Sequence, residues 1–128
     1  MRFLLDTCTF IWLAMPQNKL SPLAVELLDE AGHEWFLSDV SLWEVVMKHS
    51  SGKLPLPGEP REWLPSQVEF HRLGRLTLHA EEIYLSGELP RVYADPFDRL
   101  LAAQAITQGM TILSPDTPLS LLGASRMW

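Results

Sequence analysis

Apolar residues fall into short blocks that follow two rhythms. Phe3-Leu4-Leu5, Trp35-Phe36-Leu37 and Thr111-Ile112-Leu113 are compact runs without alternation, the pattern of strands buried on both faces. They predict strands over residues 2–5, 35–38 and 111–114. Between them the rhythm is helical. Leu42, Val45, Val46 and His49 recur at i, i+3, i+4 and i+7, which predicts a helix from about Ser41. Ser21-Pro22 reads as an N-cap followed by proline at the first helical position; Leu23, Leu27 and Leu28 give the apolar face and Gly32 the stop. Further helices are predicted over residues 9–14, 61–68 and 78–86, and the longest over Pro96–Gln108, closed by Gly109. His71-Arg72-Leu73 reads as a short strand, Leu119–Leu122 as a turn of helix, and Arg126-Met127-Trp128 as an edge strand. Residues 52–60 form a proline-rich loop too short to link domains.

Strands alternating with helices predict an α/β fold, a three-layer sandwich whose central, mostly parallel sheet of about five strands has helices on both faces. The length suits one domain over residues 1–128. In such folds the carboxyl ends of the strands and the starts of the following helices share one rim. Asp6 follows the first apolar run, and Asp116 follows Met110-Thr111-Ile112-Leu113 by three residues. Glu44 and Asp98 each open an apolar helical stretch. Carboxylates from all four brought to one rim would repel strongly unless a cation sat among them. The pattern therefore points to a Mg²⁺ or Mn²⁺ site for phosphate chemistry.

Each acid also has a plain structural reading. Asp6 suits an N-cap, and Ser41-Leu42-Trp43-Glu44 matches the S-x-x-E capping box, with Lys48 four residues beyond Glu44. Asp95 is the natural cap of the Pro96 helix, which leaves Asp98 in a first turn that favours negative charge. Asp116 lies in a Ser-Pro-Asp-Thr-Pro turn. Their joint placement is what favours the metal reading.

Composition narrows the field. Hydrophobic residues at 47% and charged residues at 20% are ordinary for a globular chain. No apolar run approaches the ~18–20 residues of a membrane span. Met1-Arg2-Phe3-Leu4-Leu5-Asp6 meets an acid too early for a secretory signal, and the lone Cys8 suits a reducing cytoplasm. The net charge of −6 weighs against unaided RNA binding, although bound divalent ions would offset it at the site. His33, His49, His71 and His79 lack zinc spacing, and no Walker glycine loop or nucleophile elbow is present. The tryptophans read as core or interface residues rather than base-stacking platforms. A phosphoacceptor domain would need paired acids after its first strand and a lysine after its last, and neither is present.

Met1-Arg2-Phe3-Leu4-Leu5-Asp6-Thr7, Ser38-Asp39-Val40-Ser41-Leu42-Trp43-Glu44-Val45, Asp95-Pro96-Phe97-Asp98-Arg99-Leu100-Leu101-Ala102-Ala103-Gln104-Ala105 and Ser114-Pro115-Asp116, taken in order, resemble a PIN-domain ribonuclease, specifically a VapC-type toxin of type II toxin–antitoxin pairs. The resemblance spans essentially the whole chain. It implies a metal-dependent endoribonuclease in which Asp6, Glu44, Asp98 and Asp116 hold one or two Mg²⁺ or Mn²⁺ ions. Thr7, Ser114 and Asp95 would support the site, and Arg91 and Arg99 are candidates for contacting the RNA backbone. The implied partners are RNA, a small DNA-binding antitoxin that neutralises the toxin, and a second copy in a homodimer. The alternative is a catalytically weak relative that acts mainly by binding the antitoxin through tryptophans, leucines and the 52–60 loop. Three departures bear on activity: Cys8 where many relatives have His, Val92-Tyr93-Ala94 where a His- and Arg-containing lead is usual, and Pro115 where Arg is common.

Overall fold

The computed structural model describes all 128 residues. In chain order the elements are β1 (Arg2–Leu5), α1 (Thr7–Ala14), α2 (Pro22–Asp29), β2 (Glu34–Ser38), α3 (Asp39–Ser50), α4 (Pro60–Phe70), β3 (Gly74–Leu76), α5 (Ala80–Glu88), α6 (Pro96–Gln108), β4 (Thr111–Leu113), α7 (Pro118–Leu121) and β5 (Arg126–Met127). The strands form one five-stranded sheet in the order β3-β2-β1-β4-β5. Every pairing is parallel; β1 is matched to β2 at Phe3–Trp35 and to β4 at Leu4–Ile112.

Side chains leave β1 on alternate faces, and that alternation builds the two halves of the core. Leu4 packs with Leu101, Ala102, Ile112, Leu119 and Leu122 on the face covered by α5, α6 and α7. Phe3 and Leu5 pack with Phe10, Ala24, Leu27, Val45 and Leu113 on the other. Sandwiched between helices, the central strands can be apolar throughout, as the runs in the sequence imply. No helix is long and apolar enough to cross a membrane.

Several boundaries move from their expected places. The helix expected from Ser41 begins at Asp39, because Ser38 is the cap: its hydroxyl accepts from the Val40 amide at 3.0 Å. The capping box of Ser41 and Glu44 is therefore not formed, and Glu44 lies well inside the helix. The strand expected at His71–Leu73 forms instead at Gly74–Leu76. Helix α4 runs through Pro65 to Phe70, so His71 and Arg72 are spent closing it. Gly74 suits the strand because a Cβ there would lie 2.7 Å from the Phe36 ring on β2. Ser21, Asp95 and Gly109 terminate their helices as expected, with Gly109 at φ 66°.

Candidate metal centre

The chain builds outward from β1 to β2 and β3, then crosses to the opposite side of β1 for β4 and β5. The order reverses between β1 and β4, the place where ligands usually bind in open sheets of this kind. Asp6 stands at the end of β1. Its amide donates to the Leu113 carbonyl at 3.3 Å, which fastens the two strand ends together.

The Asp6 side chain is 2% exposed and held from three sides. Oδ1 accepts from the Thr7 amide at 2.7 Å; Oδ2 accepts from the Ser114 hydroxyl at 2.5 Å and from the Cys8 thiol at 3.5 Å. Ser114 also accepts from the Asp116 amide at 3.0 Å, so one hydroxyl positions both aspartates. Ligating atoms of Asp6, Cys8 and Asp116 all lie within 4.8 Å of one another. Arg126 braces this turn from outside, donating to the Ser114 carbonyl at 2.9 Å.

Asp98 enters from α6, and the Asp95 cap fixes where that helix starts. Asp95 Oδ1 accepts from the amides of Phe97 and Asp98 at 2.9 and 3.2 Å. Glu44 enters from α3, which is pinned on both sides. The Thr7 hydroxyl donates to Ser41 at 2.9 Å, and the Trp43 ring meets Phe97 edge-on at 4.9 Å. Beneath the rim, Ser38 donates to Gln104, whose amide group donates to Thr77 O at 3.2 Å and to the buried Glu82 carboxylate at 3.4 Å.

The electrostatics are those of anions held together without enough positive charge. Burial, opposed by the Ser114 hydrogen bond and reinforced by Asp116, pushes the Asp6 carboxyl up to about 6. Burial and the charges of Asp6 and Asp95 push Asp98 up to about 7. Burial, followed by Asp6 and Asp116, drives the Cys8 thiol far above its ordinary value, so it stays protonated. Only Glu44 has a full counter-charge, Lys48 Nζ at 2.7 Å from Oε2.

Asp6 and Asp116 thus lie together, Asp98 is within electrostatic reach of both, and Glu44 is already paired to Lys48 on the helix that packs against α6. The donor set is hard carboxylate oxygen under mutual repulsion, which fits an oxygen-seeking divalent cation. The protonated thiol of Cys8 adds a hydrogen-bond donor to that set.

Arg99 departs from expectation. Its guanidinium donates to the carbonyls of Ser86, Leu89, Pro90 and Tyr93 at 2.8–3.0 Å, so it staples the loop before α6 and is not left free for a phosphate. Arg91 remains exposed and lines a small cleft of about 400 Å³ with Gly87, Tyr93 and Ala94. The sequence reading missed Ser41, which joins the Asp6 and Glu44 segments. It also missed Tyr93, whose hydroxyl Asp98 raises to about 12. Lys48 carried a usable signal in its i+4 spacing from Glu44.

Residues 3–123 match the family model of the PIN domain. Among solved structures the chain is similar to VapBC2 from Rickettsia felis bound to a promoter DNA fragment, with 17% identity, a TM-score of 0.72, and 99% of this chain and 98% of that one covered. It is also similar to DNA-bound VapBC from Salmonella typhimurium, at 18% identity, TM-score 0.70, and 99% and 97% coverage. FitAcB from Neisseria gonorrhoeae gives 18% identity, TM-score 0.68, and 98% and 96% coverage. No curated protein matches the sequence significantly. At these identities the structural likeness carries the fold, while the family model carries membership: the chain belongs to the PIN domain family.

Proposed function

We propose that this chain is a metal-dependent endoribonuclease toxin, neutralised by a cognate antitoxin and acting as a homodimer. PIN domains are generally nucleases, and the similar structures are toxin–antitoxin complexes by name. The observation that carries the reading is the meeting of Asp6 and Asp116 at the sheet's switch point, with Asp98 in electrostatic reach and their charge uncompensated. Asp6, Glu44, Asp98 and Asp116 would hold one or two Mg²⁺ or Mn²⁺ ions. Bound there, the ion would supply an activated water and offset charge on the scissile phosphate.

The chain's own groups do the positioning. Thr7 and Ser114 fix the Asp6 carboxylate so that its orientation does not depend on a ligand. Asp95 sets the first turn of α6 and thereby the approach of Asp98. The buried Ser38–Gln104 bond keeps the helix carrying Glu44 against the one carrying Asp98. Purified protein should cleave RNA with Mg²⁺ or Mn²⁺ and stop with EDTA, and Asp6→Asn or Asp98→Asn should lose at least ~100-fold in rate. Undiminished cleavage by either variant would defeat the proposal.

A second reading, antitoxin binding with little catalysis, has its own observation. A groove of about 960 Å³ lies between α3 and α4, with Leu42, Val46, Leu64, Val68 and Leu73 among its lining and charged residues such as Arg61, Glu62, Glu69 and Arg72 alongside them. Of the tryptophans only Trp43, at 51% exposure, is open to a partner; the others are half-buried. Calorimetry with Mn²⁺ discriminates, since an inactive scaffold shows no specific uptake.

A further inference from the structure

We infer that Lys48 is a substrate-binding residue of this site, stored on Glu44 and delivered to an RNA phosphate when Glu44 is claimed by a divalent cation. This rests on the nuclease reading and adds to it the basic group the acidic site otherwise lacks.

Four arginines are committed elsewhere, while Arg91 stays exposed on the cleft beside Tyr93. Arg99 and Arg126 have given their donors to backbone carbonyls and a serine, Arg2 to the Gln108 carbonyl, and Arg75 to Asp39. Lys48 differs because its only partner is itself a site acid. The pair is lopsided: the lysine side chain is 48% exposed and the glutamate 11%. An ordinary surface i,i+4 pair leaves both groups in water, where the bond contributes little. Here the carboxylate is largely buried while the ammonium is half-exposed and open to an incoming chain. Helix α3 packs on α6 through Trp43 and Phe97, and the charges of Asp95 and Asp98 reach that ammonium, so it is not on a remote face.

Glu44 cannot serve both cations fully. Any divalent ion that recruits its oxygens competes with Lys48, and the displaced ammonium is left without a partner beside the acids. A phosphodiester supplies the missing anion. The order has a use: until a cation arrives, Glu44 masks the positive charge that would attract RNA.

The test compares Lys48→Met and Lys48→Arg with the unaltered protein. Mn²⁺ alone is titrated by calorimetry, and cleavage of a short fluorescent single-stranded RNA is followed at several salt concentrations. Lys48→Met should bind Mn²⁺ several-fold more tightly, because the competitor for Glu44 is gone. Its KM for RNA should rise about tenfold with kcat within about twofold, as for the loss of one charge-assisted contact. The slope of log KM against log salt should flatten by about 0.7, the share of one phosphate contact on a single strand. Lys48→Arg should restore the KM and melt like the unaltered protein, because it keeps the counter-charge on the largely buried Glu44. Mn²⁺ affinity unchanged or weaker in Lys48→Met, or an unchanged KM and salt slope, overturns the inference. Absence of cleavage by the unaltered protein sinks the nuclease reading and the phosphate role with it, while the calorimetry still decides the competition for Glu44.

Discussion

The Ser114 hydroxyl donates to Oδ2 of Asp6 across 2.5 Å, joining residues 108 positions apart at the ends of neighbouring strands. The same oxygen accepts from the Asp116 amide, so removing it loosens two acids at once. Ser114→Ala should therefore lower Mn²⁺ affinity and RNA cleavage by about 10–100-fold, as is usual when the residue orienting a ligand is lost. Calorimetry and cleavage rates on the same preparation check this. An unchanged Mn²⁺ affinity would show that Asp6 holds its orientation without help.

Acid should stabilise the metal-free protein, opposite to the usual behaviour of native carboxylates. Asp6 at about 6 and Asp98 at about 7 both stand above their ordinary 3.8, so the folded chain holds these protons more tightly than the unfolded chain. Their contribution is complete below the unfolded value and is lost as pH rises through 6 and 7. The melting temperature should fall between pH 5.5 and 8 without metal, and Mn²⁺ should recover most of the loss at pH 8. Burial pushes His71 down, which acts in the opposite sense, so the comparison belongs in a His71→Gln background. Asp98→Asn should flatten the upper part of the profile; a steep fall persisting in that variant would contradict the assignment.

Arg99 carries structural weight. Its guanidinium holds four carbonyls between Ser86 and Tyr93, groups that would otherwise face the start of α6 unpaired. Arg99→Leu should cost about 2–3 kcal/mol by urea unfolding, the range for losing charge-assisted bonds to partly buried acceptors. Arg99→Lys should recover little, because a single ammonium cannot span that set. A loss of RNA affinity with stability intact would return Arg99 to the substrate.

Cys8 should resist alkylation more than its half-buried position suggests. Desolvation opposes the thiolate, and Asp6 and Asp116 repel it. At pH 8 iodoacetamide should label it far more slowly than a free thiol, and Asp116→Asn should speed the labelling. Equal rates in the two proteins would mean the carboxylates do not govern the thiol.

The legible parts of the fold are those governed by local chemistry. Phe3-Leu4-Leu5 and Thr111-Ile112-Leu113 reveal their strands because both faces are buried, and Asp95-Pro96 with Gly109 marks both ends of α6. Asp6 and Asp116 meet as expected because parallel strands deliver their ends to a common rim. What stayed hidden depends on tertiary partners. Ser38 and Ser41 are equally plausible caps by type, and only the packing of α1, which brings the Thr7 hydroxyl to Ser41, separates them. Arg99 sits beside Asp98 in the sequence, which suggests a phosphate contact, but its acceptors are backbone carbonyls, which carry no side-chain signature. Gly74 carries no strand signature of its own, because its role is set by the Phe36 ring on the adjacent strand.

The order of the sheet has a consequence for how the molecule comes into being. β1 is made first yet lies in the middle, and its neighbour β4 comes from the far end of the polypeptide. A nascent chain has no assembled acidic pocket until residues 111–116 have been synthesised and seated alongside the first strand, a long-range closure of the kind that forms late. Strand order alone thus delays the meeting of Asp6 and Asp116 until synthesis is almost complete.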